Sequence, residues 1–195
     1  MITFFTNREL SRKLNINLAK WKRWSREFLP PDPLGGMQSG YTRQYHPDQA
    51  FTVYLGGYLV ADLKFAIPEA RQILNDLEAW FRDTGFLFAA RGYTATEKRV
   101  EARIKKYIIY ILCKNRRDSG VEFSYAVRGI IANEPDVCQG VQVMKELYEE
   151  TRMGPPVESF STRDAHITKV LDITNVLMRF VEATGLDRNH YPVIS

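Results

Sequence analysis

The sequence predicts an α+β protein in two parts. A mainly helical N-terminal domain over residues 1–82 is read as a winged helix-turn-helix. A C-terminal domain over residues 83–195 is read as a β-hairpin with two or three helices. Three observations carry this prediction. Apolar residues recur at helical spacing through most of the first part. A Pro- and Gly-rich stretch from Pro30 to Gly40 breaks that spacing and leads into β-forming residues. In the second part, Val121, Phe123, Tyr125 and Val127 alternate with Glu122, Ser124, Ala126 and Arg128, the period of a strand with one solvated face.

The elements follow in order. Residues 1–5 are a short apolar lead-in. Thr6-Asn7-Arg8-Glu9 fits a capping box, with Thr6 as N-cap and Glu9 reaching back. Leu10 and Leu14 mark the buried stripe of a first helix. Asn15-Ile16-Asn17 supplies a turn, and Asn17 can cap the next helix. In that helix Trp21 and Trp24 are three residues apart, share a face and are predicted to point inward. Lys20, Lys22, Arg23 and Arg26 cover the other faces. The helix must stop before Pro30-Pro31-Asp32-Pro33. The Gly-bearing loop and Tyr41-Thr42-Arg43-Gln44-Tyr45 then read as a small β-wing. Pro47 opens a third helix with Phe51, Tyr54, Leu55, Tyr58 and Leu59 on its apolar face, and Pro68 opens a fourth with Ala70, Ile73, Leu74, Leu77 and Phe81 as its stripe.

The second part starts with a capping box at Thr94–Glu97 and a helix near residue 95. Residues 107–113 are β-branched and aromatic and read as a strand. They also fit one long helix over 95–113, because Val100, Ile104, Tyr107 and Ile111 share a helical stripe. Lys114–Gly120 would join residues 107–113 to the Val121–Val127 strand as a hairpin. A helix is predicted over 136–152, with Val137, Val141, Met144, Leu147 and Tyr148 on one face. A last helix is predicted from Thr162 or Asp164 through Ile167, Val170, Leu171, Val176, Leu177, Phe180 and Val181.

Composition narrows the function. A chain of 195 residues with 45% hydrophobic and 26% charged residues has the makeup of an ordinary soluble globular protein. No apolar run reaches membrane-spanning length, and the start MITFFTNREL lacks the pattern of a signal peptide, so a cytoplasmic location is expected. Cys113 and Cys138 lack CxxC spacing and are expected to be buried, reduced thiols. His46, His166 and His190 have no partner at metal-ligand spacing. No metal, cofactor or catalytic residue is implied. His166 beside Asp164 and Ser161 lacks a nucleophile-elbow sequence, and no phosphate-binding glycine motif occurs.

The charge distribution is uneven. Residues 1–50 carry eight Lys/Arg against four Asp/Glu, while each later stretch of similar length balances, so the net charge of +4 lies on the first module. Excess positive charge on one small module points to a polyanion. In a helix-turn-helix frame, Lys20, Lys22, Arg23 and Arg26 are candidates for groove and phosphate contact, with Arg the better base reader because its fork matches guanine. Arg8, Arg12 and Lys13 on the first helix are read either as a phosphate clamp or as plain surface. Trp21, Trp24 and Tyr45 are read as core.

Several short motifs, taken in order, resemble the DNA-binding domain of the MerR family of transcriptional regulators. Glu9-Leu10-Ser11 stands where that family reads E-L-A, and Asn15-Ile16-Asn17 stands at its turn. Lys22-Arg23-Trp24 stands at its basic and aromatic triplet, and Arg26-Glu27-Phe28-Leu29-Pro30 at its Pro-rich stop. Arg43-Gln44-Tyr45 stands at the R-x-Y wing, and Lys64-Phe65-Ala66-Ile67-Pro68-Glu69-Ala70 at the last element. The resemblance covers about residues 3–80. It departs at Asn15 in place of the turn glycine, at Arg23 in place of an aromatic, and at an extra Thr42. No sustained heptad follows Phe81, and the family's Cys-rich metal sites have no counterpart here. The resemblance implies that Arg43, with Tyr41 and Thr42, touches the DNA backbone from the wing.

The expected function is a sequence-specific, double-stranded DNA-binding transcriptional regulator, homodimeric and open to a small-molecule effector. Two other readings stand beside it: a DNA-architecture, excision or packaging factor of phage or plasmid type, and a small-ligand binding protein with a DNA-binding module. Arg103, Lys105 and Lys106 are read as paired along a helix with Glu97 and Glu101. Arg116-Arg117-Asp118 is read as a solvated hairpin tip. Tyr107, Tyr110, Phe123 and Tyr125 are read as sheet core rather than a ligand pocket.

Overall fold

Thr6 caps the first helix as its sequence predicts. Its backbone N–H donates to Glu9 Oε2 at 2.7 Å, and its hydroxyl accepts the Glu9 N–H at 3.3 Å. The computed structural model describes residues 4–32, 42–87, 104–116, 120–154 and 167–194. The backbone N–H of Thr6, then its hydroxyl, hold the Glu9 carboxyl below the usual carboxylate range. A depressed carboxyl contributes stability above its unfolded value, and that contribution is lost as pH falls through the folded one. Thr6→Ala is expected to cost about 1 kcal/mol at neutral pH, typical of an N-cap. Urea unfolding at pH 7 measures this cost.

Strand β1 (Phe5–Thr6) leads into helix α1 (Asn7–Lys13). Asn15 turns the chain with a left-handed φ of 52°, a conformation that Asn tolerates in place of glycine. Ser11 Oγ donates to the carbonyl of Ile16 at 2.6 Å and fixes the turn. Asn17 then caps helix α2 (Leu18–Phe28) through the N–H groups of Ala19 and Lys20. The described end of the expected wing, β2 (Gln44–Tyr45), pairs antiparallel with β1, Phe5 opposite Tyr45. The residues between Pro33 and Tyr41 lie outside the described residues.

Helices α3 (Pro47–Ala61) and α4 (Ile67–Thr84) each carry proline in the first turn. The stripe of α4 is buried as predicted: Ala70, Ile73, Leu74, Leu77 and Phe81. Burial on α3 wraps further round than the sequence stripe, taking in Ala50, Val53, Gly56 and Gly57. The two glycines let neighbouring rings lie against the helix backbone. A Cβ on Gly56 would fall 2.5 Å from the Phe28 ring, and one on Gly57 would fall 2.3 Å from the Trp24 ring.

The chain forms two compact units that do not part at a single cut near residue 82. One comprises Met1–Arg91 with Val176–Pro192, the other Gly92–Asn175 with Val193–Ser195. The last helix, α5 (Ile173–Thr184), therefore gives its later turns to the first unit. There Phe180 meets Phe51 with ring centroids 5.4 Å apart, and Lys13 Nζ donates to the Thr184 carbonyl at 2.7 Å.

The second unit holds a four-stranded antiparallel sheet. Its strands are β3 (Lys106–Arg116), β4 (Gly120–Cys138), β5 (Val141–Met153) and β6 (Ile167–Asp172), in the order β5-β4-β3-β6. Residues 107–113 are strand, which resolves the ambiguity over 95–113 for its described part. The β3–β4 hairpin forms with Ile109 opposite Val127. Tyr107, Ile109, Ile111, Phe123, Tyr125, Val127 and Leu171 are buried in this sheet. The proposed helix near residue 95, the Arg117-Asp118 tip and the Ser161, Asp164 and His166 group lie outside the described residues.

Four expectations are corrected. Residues 136–152 are not a helix: Gln139 and Gly140 both take positive φ, 50° and 80°, and make a two-residue turn that pairs Cys138 with Val141. Such a turn matches the twist of a hairpin, and the five apolar residues at helical spacing are exposed ribbon positions. Residues 167–172 are strand because they complete β3 on its second edge. The helix starts at Ile173, where Asp172 Oδ1 accepts the Asn175 N–H at 3.0 Å. Cys113 is buried, but Cys138 sits at the hairpin end and is exposed. Lys106 is not on a helix; it lies in β3 and pairs with Asp172 at 2.7 Å. No described helix is long and apolar enough to cross a membrane.

Candidate nucleic-acid interface

Helix α2 is divided by charge and burial. Trp21, Trp24 and Ser25 are buried, while Lys20, Lys22, Arg23 and Arg26 are exposed. At about 100° per residue, Lys22, Arg23 and Arg26 fall within one face opposite the tryptophans, and Lys20 lies on its flank. Lys20 Nζ sits 4.8 Å from the centre of the Trp24 ring, so part of its charge is spent against that face. The one carboxylate on the helix, Glu27, is turned away and held by Arg71 of α4 at 2.8 Å.

Tyr45 locks α2 in place. Its ring is buried and meets Trp21 edge-on at 5.9 Å. Its hydroxyl lies 2.7 Å from Ser25 Oγ and donates to Asn7 Oδ1 at 2.6 Å. One phenol thus joins the start of α1, the middle of α2 and β2. These contacts bear out Trp21, Trp24 and Tyr45 as core.

A groove of about 930 Å³ runs between the start of α1, α2, the Leu29–Asp32 segment and β2. Arg8, Lys22, Arg26 and Arg43 line it, with Asp32 as the acid among them. Arg43 is half-buried. It donates to the Pro30 carbonyl at 3.0 Å, lies 4.0 Å from Asp32 and stacks over Tyr45 at 5.5 Å. Thr42 lines the same groove and is exposed.

The structure therefore gathers Lys22, Arg26, Thr42 and Arg43 round one groove. Arg23 stands beside it on the outer face of α2, Lys20 is drawn toward Trp24, and Arg12 is exposed near the end of α1. Tyr41 lies outside the described residues. Of the three basic residues of α1, Arg8 faces the groove, whereas Lys13 is committed to the end of α5.

A second hollow of about 620 Å³ lies between the end of α2, α3 and α4, floored by Phe28, Phe51, Leu55, Leu74 and Phe81. Among the described residues no group of His, Cys, Asp and Glu could hold a metal ion. Comparison with protein-family models, with curated proteins and with solved structures finds no match to this chain.

Proposed function

We propose that this chain is a sequence-specific, double-stranded DNA-binding transcriptional regulator whose N-terminal unit works as a MerR-like winged helix-turn-helix. The observation that carries the reading is the division of α2. Buried tryptophans anchor one face and leave Lys22, Arg23 and Arg26 on the other. The second helix of such a motif enters the major groove, and a cationic face suits phosphates and guanine edges. Arg8, Thr42 and Arg43, on either side of the groove, would contact the sugar-phosphate backbone. The protein works in the cytoplasm as a homodimer, which presents two α2 helices to two half-sites.

Selection from a pool of random duplexes tests the reading. The full chain is expected to enrich a short motif, and Arg23→Ala is expected to relax preference at one position of it by about tenfold or more. Duplex binding without any enriched motif would replace the regulator with a DNA-architecture protein. No duplex binding would overturn both.

A further inference from the structure

The free edge of β5 carries the clearest unexplained surface. Eight large apolar side chains stand exposed among the described residues, and five of them, Val137, Val141, Met144, Leu147 and Tyr148, lie on the β4–β5 hairpin. The hairpin runs past the end of β3, whose last partner on β4 is Ile130. Beyond that point it is a two-stranded ribbon, a form with little stability of its own in water. β5 is an edge strand of thirteen residues with no proline and no further strand beside it among the described residues. Proteins blunt such an edge with charged side chains, and β5 carries five of them, Lys145, Glu146, Glu149, Glu150 and Arg152.

The charges on β5 say what it fits. A strand that pairs antiparallel with its own copy about a twofold axis must centre on one residue, because opposed side chains share a face. Centring on Glu146 sets Glu146 against Glu146. Centring on Tyr148 sets Glu146 against Glu150 twice. Centring on Leu147 sets Leu147 against Leu147, Lys145 against Glu149, Val143 against Thr151 and Val141 against Met153. In that register the Leu147 face opposes two apolar pairs, one Val–Thr pair and one pair of opposite charge, and no like charges meet. Lys145 is 70% exposed and pairs with Asp136 of its own hairpin, a partner it would share with Glu149 of the second copy; Glu149 is exposed with no ion pair among the described residues.

We infer that β5 is the homodimer seam: two copies join edge to edge about Leu147 and continue the sheet, with Lys145 of each copy paired to Glu149 of the other. This deepens the homodimer of the proposed function, but it needs no DNA and is tested without it. Opposed charges across strands attract and like charges repel, so two reversed pairs per dimer give a measurable change.

Sedimentation equilibrium of the full chain, free of DNA, tests the inference. The native protein is expected to be a dimer at micromolar concentration. Lys145→Glu is expected to weaken it by about tenfold or more, and Lys145→Glu with Glu149→Lys is expected to restore it. Circular dichroism checks that each variant is folded. In a Cys138→Ser background, Leu147→Cys is expected to form an interchain disulfide on mild oxidation. Val143→Cys is not, since its copies would lie roughly 27 Å apart along the paired strands. A monomeric native protein would overturn the inference. So would a dimer indifferent to Lys145→Glu, or a lost dimer that the double exchange fails to restore.

Discussion

Replacing Gly57 with alanine is expected to destabilise the N-terminal unit by about 2 kcal/mol, and the sign of that change is itself a test. On helix propensity alone, Gly→Ala inside a helix stabilises by about 1 kcal/mol. Here the added Cβ would lie 2.3 Å from Cε3 and Cζ3 of Trp24. The Trp24 ring is only 6% exposed and lies under Lys20, so it cannot swing aside without moving α2. Overpacking of a filled core costs about 1–3 kcal/mol or more, which outweighs the propensity gain. Chemical unfolding measures the change. Trp24→Leu should relieve part of it, so the double variant should lose less than the two single changes added together. A more stable Gly57→Ala protein would show that α3 does not approach α2 in this way.

Reversing three charges on α2, in Lys22→Glu, Arg23→Glu and Arg26→Glu together, is expected to weaken duplex binding by about a thousandfold at low salt. All three side chains are exposed, so the fold should be nearly unchanged, each substitution within about 0.5 kcal/mol. The contrast with Gly57→Ala is useful. One change disturbs the framework that positions α2, the other leaves the framework and alters the face it presents. Fluorescence anisotropy with a labelled duplex, together with thermal unfolding of the same variant, separates the two effects. Unweakened binding by the folded triple variant would remove α2 from the interface.

The legible parts of the sequence were those with a local physical cause. Thr6 with Glu9, Asn15, Asn17 and the prolines before α3 and α4 act within a few residues of themselves, and their roles could be read directly. The inward turn of Trp21 and Trp24 followed from their spacing. The β4–β5 hairpin was not legible for a specific reason. Its apolar residues fall on both faces of an exposed ribbon, so their spacing imitates a helix, and its turn is Gln139-Gly140 rather than the usual Asn-Gly or Asp-Gly. Strand β6 is not legible locally because its identity comes from pairing with β3, a non-local fact. In the candidate site, the sequence named the cations but not their division. Only packing shows that Lys20 leans on Trp24, that Lys13 belongs to α5 and that Arg8 joins Lys22 and Arg26 at the groove.

The salt dependence of duplex binding tests the central proposal most directly. Each phosphate neutralised by Lys or Arg releases condensed counterions, so the logarithm of the binding constant falls linearly with the logarithm of salt concentration, by about 0.9 per contact. The native chain is expected to give a steep slope. A Lys22→Ala, Arg23→Ala, Arg26→Ala variant should give a slope shallower by about 2 to 3, according to how many of the three meet phosphate rather than base. Equal slopes for the two proteins, or a native chain whose duplex binding is indifferent to salt, would contradict the assignment of α2 as the DNA-contacting element.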